Sequence, residues 1–335
     1  NGLDESVTVI GGASTTDKVT AIYAAGKTIK SMTGVETFEI NATGSVAIDL
    51  ANVNDVTKVM LDDDGTARVI TLTDLDTGVD IDVETGVTAS GLIIDLVDSS
   101  STTDAVDVEF SATNAVANVY TIDSAALNNI ETLNLKMTVG QNVDLTGFTM
   151  ATASTYSTVN IEGAGATILS AVDTDIHTIN ASTMTGTLTM TGRTSTAINT
   201  ITGGTEADTL IMRNSGDIMD GTSNTSASAT DADTLDINFA AVLGGIEVNL
   251  ANTGDQVTTF NGSANAASQT NFTSVDVSGY TGSFGAQITA NALGSTVTGT
   301  LNADVVTLGA AADVVEINDS TADTINSFTL GTDAL

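Results

Sequence analysis

The side chains in this chain best equipped for chemistry are its aspartates, and their setting points to cations. Gly203 to Met212 reads GGTEADTLIM. This is close to the nonapeptide G-G-x-G-x-D-x-apolar-x, in which glycines allow tight turns and near approach of carbonyls while aspartates on successive turns grip ions. Gly203, Gly204 and Asp208 keep their places, and Glu206 stands where the third glycine belongs. Asp217 follows Asp208 by nine residues, and Asp313 follows Asp304 by the same interval. With Asp220, Asp231, Asp233, Asn302 and Asp323 on neighbouring turns, these residues form the expected set of calcium ligands. Asp208 is expected to be the key ligand, with Asp217 supplying oxygen from the next turn.

Other chemistries find less material. His177 is the single imidazole, set between apolar positions in DTDIHTINAS, and reads as a strand-edge residue rather than a base. Acidic pairs such as Asp173/Asp175 and Asp231/Asp233 lie on turns, where cation binding accounts for them better than glycoside hydrolysis. Tryptophan is absent and tyrosine occurs four times, so a sugar-stacking cleft is poorly supplied. Met184, Met190, Met212 and Met219 alternate with Thr and Leu, as inward positions of stacked strands would. No catalytic residue is assigned, and the chain reads as a non-enzyme.

The elements that must carry these turns are strands. Short alternating segments run at Ser6 to Ile10, Val35 to Ile40, Val46 to Leu50, Val69 to Leu72, Leu92 to Leu96, Val106 to Phe110 and Asn118 to Ile122. Helical spacing is confined to a weak stretch around Val19 to Lys30. The unit VETFEINATG at Val35 returns as IETLNLKMTVG at Ile130 and IEVNLANTG at Ile246, and more loosely at Val159, Ile179 and Val275. Intervals of 20 residues from Val159 to Ile179 and 19 from Ile179 to Ile198 match one solenoid rung. The expectation is an all-β, elongated, right-handed parallel β-solenoid with calcium-binding turns. Residues 1–155 are expected to form either a β-sandwich-like or irregular region or more solenoid. Residues 156–300 should be solenoid with a loop insertion near 222–232, where NTSASATDA carries no apolar side chain larger than alanine.

Composition sets the partners. The 335 residues hold 42 acidic and 8 basic side chains, a formal charge of −34, yet charged residues are 15% of the chain and mean hydropathy is +0.20. Such a chain folds rather than staying disordered. It needs cations to relieve self-repulsion, and nucleic acid and anionic membranes make poor partners. Cysteine and proline are absent, so stability must come from packing, metal or assembly. No run of about 18 apolar residues crosses a bilayer. The opening Asn-Gly reads as a processed product or an excerpt.

The last segment, residues 301–335, ends DTINSF followed by GTD and Leu335. It resembles the C-terminal region of RTX proteins exported by type I secretion, and the VETFEI and IETLNL units resemble strands of RTX-type bacterial S-layer proteins. The resemblance implies secretion to the extracellular cell surface without an N-terminal signal, Ca2+-triggered folding, and self-assembly into a homo-oligomeric lattice. Anchoring to cell-surface polysaccharide would use a region outside this chain. The alternative is a calcium-stiffened adhesin stalk or filament subunit.

Overall fold

The computed structural model describes residues 3–63, 68–84, 90–98, 100–111, 119–124, 129–150, 156–193, 199–222, 232–318 and 321–335. Among these residues every regular element is a strand. The architecture is a right-handed-type parallel β-solenoid. It divides into two compact units, Asn1–Thr178 and Ile179–Leu335.

In the first unit two parallel sheets face each other. One contains Lys18–Tyr23, Thr37–Ala42, Lys58–Asp63, Asp80–Val83, Ala105–Phe110, Thr132–Met137 and Ser157–Gly163; the other runs from Lys27–Thr28 through Val46–Asp49, Val69–Leu75, Ser90–Leu96, Val119–Ser124 and Gln141–Leu145 to Thr167–Val172. Period-two alternation decides which side chains go inside. In Thr37–Ala42 the buried residues are Phe38, Ile40 and Ala42. In-register pairing then stacks like on like: Val19, Phe38, Val59, Ile81, Val108, Leu135 and Ile161 form one inward column. The sandwich alternative for residues 1–155 therefore gives way to solenoid, because each strand pairs in parallel with one a full rung away. The weak helical stretch also resolves as strands, Lys18–Tyr23 and Lys27–Thr28, since Ala21 and Tyr23 alternate inward with Val19.

The second unit has shorter strands, many of three residues. Leu188–Met190, Thr209–Met212, Thr234–Ile237, Ser274–Asp276, Thr296–Thr298 and Val314–Glu316 form one parallel series, and Thr200–Thr202, Ile218–Asp220 and Gln269–Thr270 another. A third contains Ile246–Asn249, Ala286–Thr289, Val305–Thr307 and Thr324–Asn326. Val257–Phe260 adds to Ile246–Asn249 antiparallel, and Ser263–Ala264 adds to Val257–Phe260. Phe260 of this hairpin packs edge-on against Phe239 and Tyr280, with ring centroids at 4.4 and 5.7 Å. The four methionines singled out above are all buried, as core packing requires.

Candidate functional site: the aspartate corners

Each rung turns a corner just before a strand, and in the second unit that corner is repeatedly a buried aspartate. Asp313 shows the construction. Its Oδ1 accepts the N–H of Ser295, one rung earlier, at 2.8 Å, and its Oδ2 accepts the N–H of Gly309, four residues earlier, at 2.8 Å. Asp304 repeats it with Ala286 at 2.6 Å and Thr300 at 2.7 Å, and adds the Thr300 hydroxyl at 2.8 Å. Asp208 takes the N–H of Leu188 at 2.6 Å and that of Gly204. Asp217 takes Asn199 at 2.9 Å, Arg213 at 3.0 Å and Asn214 at 2.9 Å.

The corners also link to one another. The backbone N–H of Asp208 donates to Asp233 Oδ1 at 2.8 Å, that of Asp304 to Asp323 Oδ1 at 2.8 Å, and that of Asp313 to Asp333 Oδ1 at 3.1 Å. In return Thr234, Thr324 and Ala334 donate their N–H groups to the carbonyls of Asp208, Asp304 and Asp313, each at 2.8 Å. A short turn has few ladder bonds and leaves N–H groups facing inward, and a carboxylate at the corner satisfies two of them at once.

This geometry also explains the glycines. A Cβ on Gly203 would lie 2.5 Å from Asp208 Oδ2, and one on Gly299 would collide with Asp304 Oδ2. The aspartate carboxylate occupies the space a side chain would need, so glycine and aspartate five residues apart are a packing pair.

The sequence-expected ligands thus fall into distinct places. Asp208 and Asp233 share one column of corners, and Asp304 and Asp323 share another. The nine-residue partners do not meet: Asp208 precedes Thr209–Met212 while Asp217 precedes Ile218–Asp220, strands of different sheets, and Asp304 and Asp313 are likewise split. Nine residues is half a rung of eighteen, the separation of Thr296 from Val314 and of Gln287 from Val305. Asp220 is half-buried and receives Thr222 N–H at 2.9 Å and the Asn271 amide at 2.7 Å. Asn302 donates to the carbonyls of Gly282 and Phe284 at 3.1 and 3.3 Å. Glu206 is exposed on its turn, and Asp231 and most of the expected insertion lie outside the described residues.

A calcium ion needs six to eight oxygens at 2.3–2.6 Å. In this arrangement both oxygens of Asp208, Asp217, Asp304 and Asp313 accept backbone N–H donors. Among the described residues no group of three or more His, Cys, Asp or Glu side chains gathers in metal-holding geometry. Burial, the largest cause, pushes the carboxyl groups of Asp304 and Asp313 above their ordinary range, against the pull of the N–H donors.

Two members of the construction escaped the sequence reading. Glu36 and Glu131, inside the repeated VET and IET units, reach back one rung: the N–H of Asp17 donates to Glu36 Oε2 and that of Asp104 to Glu131 Oε2, both at 2.9 Å. The recurrence of Glu at the second place of both units was the available signal. Arg193 was missed as well. Its guanidinium, fully buried, grips Asp217 at 2.6 and 3.0 Å and the Asn199 side chain at 2.5 Å. His177 lies in Ile176–Met184 and stacks on Tyr156 with ring centroids 3.6 Å apart. No family model, curated protein or solved structure matches the chain.

Proposed function

We propose that this chain is a structural protein of a bacterial extracellular surface, exported by a type I route and assembling with copies of itself into a layer. The observation that carries the proposal is the pair of outward rows on one sheet of the first unit. Lys18, Thr37, Lys58, Asp80, Asp107, Asn134 and Asn160 stand in register, and beside them run Glu39, Met60, Asp82, Glu109, Lys136 and Glu162. Rows that repeat at the strand spacing of about 4.8 Å give a regular surface, suited to many shallow contacts with an identical neighbour. Within the row, Asn160 donates to Asn134 at 2.8 Å and Asn134 to Asp107 at 2.5 Å, so the side chains are already held in place.

The acidic excess gives calcium its part. Exposed carboxylates such as Asp80 repel between copies until a divalent cation bridges them. The corner aspartates serve the fold itself, and no catalytic role is assigned to them or to His177. Electron microscopy and sedimentation velocity on purified protein, with chelator and with millimolar calcium, test the reading. Ordered sheets that form with calcium and dissolve with chelator are expected. A monomer at every calcium concentration overturns the layer and favours an adhesin stalk.

A further inference from the structure

Two turns of the first unit share one sequence and one construction. Ser14 to Asp17 and Ser101 to Asp104 both read S-T-T-D. In each the serine and second threonine hydroxyls meet, at 3.0 and 3.2 Å, and the threonine N–H donates to the serine oxygen at 3.2 Å. In each the aspartate N–H donates to a glutamate one rung on. They differ at the aspartate carboxylate. Asp17 Oδ2 accepts the N–H of Gly12 at 2.6 Å, whereas Asp104 is only 5% exposed and its Oδ2 has no hydrogen-bond partner.

A buried carboxylate oxygen without a donor is a large cost, and folds retain such a group where something else supplies the positive charge. Asp104 lines a cleft of about 390 Å³, bordered by Thr77 and Gly78 on one side and by Asp98, Ser101, Thr103 and Asp107 on the other. Every one of these residues offers oxygen, from carboxylate, hydroxyl or backbone carbonyl, and the side chains offer no nitrogen or sulfur. Oxygen-only surroundings select a hard cation. We propose that Asp104 anchors a divalent-cation site in this cleft, of calcium type, with Asp98 and Asp107 adding charge and the hydroxyls and water completing the shell. Because three carboxylates do not converge there, the site belongs with weak extracellular calcium modules, at about 10⁻⁴ to 10⁻³ M. It lies within one unit of one chain and does not depend on the layer.

The test is calorimetric titration of the full chain with calcium chloride, at protein concentrations where sedimentation shows monomer, on wild type and on Asp98→Asn, Asp104→Asn and Asp17→Asn. Circular dichroism melts accompany each titration. Asp104→Asn is expected to remove one calcium from the stoichiometry and to abolish part of the calcium-induced rise in melting temperature. Asp17→Asn, whose parent carboxylate already holds Gly12, should titrate like wild type. Asp98 is exposed, so Asp98→Asn keeps the fold and decides the matter even if Asp104→Asn does not fold. Its calcium affinity should fall about tenfold, in line with a lost ligand charge. Wild-type titration by Asp98→Asn, an unchanged stoichiometry in folded Asp104→Asn, or a wild type that takes up no calcium as a monomer each overturns the site.

Discussion

The two units solve one problem with charges placed on opposite sides of the sheet. In Asn1–Thr178 the strands are long, commonly six or seven residues, and the ion pairs lie outside: Lys18 with Glu39 at 2.7 Å, Lys58 with Asp82 at 3.0 Å, and Lys136 with Glu109 at 2.9 Å. In Ile179–Leu335 the strands shorten, and carboxylates move inside, to the corners. A six-residue strand ties itself to both neighbours through its own ladder. A three-residue strand makes about half as many backbone bonds, so the corner must hold the rungs together. Ionic groups therefore mainly decorate the first unit, with Arg68, Asp82 and Asp104 as buried exceptions, and build the second.

The largest expected effect follows from the buried Arg193–Asp217 ion pair of the second unit. Removing Asp217 takes the carboxylate from the buried Arg193 guanidinium and the acceptor oxygens that the N–H groups of Asn199, Arg213 and Asn214 use there. Breaking a buried pair from one side costs about 3–5 kcal/mol. Asp217→Ala should shift the urea midpoint of the second unit by an amount of that order while tyrosines of the first unit report little change. A loss no larger than that of a surface substitution would erase the distinction between the units.

Next come the corners without a cationic partner. Asp313→Ala exposes two donors, on Ser295 and Gly309, to an apolar setting and should cost about 1–3 kcal/mol. Asp17→Ala, which frees one donor on an exposed turn of the first unit, should cost less. Equal losses in equilibrium unfolding would mean that strand length does not set the importance of the corner.

A pH effect sharpens the same contrast. Asp236 pairs in register with Asp276, and burial first, then that neighbouring carboxylate, pushes it up to about 6, against a weaker pull from Arg213. Its folded pKa is above its unfolded one, so the folded state holds the proton more tightly. Stability from this group falls as pH rises from about 4 to about 6, the reverse of acid denaturation. Asp304 and Asp313 lean the same way. Asp236→Asn should melt higher than wild type at about pH 8 and alike at about pH 4. Melting curves that differ equally at both pH values would rule out titration of Asp236 as the cause.

The solenoid was legible because its core obeys a local rule. Phe38, Ile40, Leu133 and Leu135 alternate within VETFEI and IETLNL, and alternation plus recurrence defines stacked strands without any knowledge of the partner. The corner aspartates were legible in position, and their part as acceptors of backbone N–H groups was not. A glycine followed five residues later by aspartate does not show in sequence which backbone N–H the carboxylate meets, and only the rung one turn away, as with Ser295 and Asp313, reveals it. Arg193 was not legible at all, since nothing local to TGRTST shows that Asp217 will lie beneath it.

The smallest effect is expected at Lys58, and it tests the outer half of the comparison. Its ammonium lies between Asp82 at 3.0 Å and Glu109 at 3.8 Å, and the hydrogen bond to Asp82 chiefly raises its pKa. A raised lysine pKa gives stability that is fully present below the ordinary lysine range and is lost only as pH rises through the folded value, so neutral solution keeps all of it. Yet the side chain is 32% exposed, and pairs of this kind are worth about 0–1 kcal/mol. Asp82 also keeps the Ser111 hydroxyl at 2.5 Å after the lysine is gone. Lys58→Ala should therefore lower stability by less than about 1 kcal/mol. The difference should shrink as salt rises past about 0.1 M, where the screening length falls to about 10 Å. Asp217→Ala should keep most of its cost under the same salt, because water and ions do not reach a pair whose side chains are both 0% exposed. If added salt erased both differences alike, the buried pair would be as well solvated as the outer one, and the contrast between decorating and building would fail.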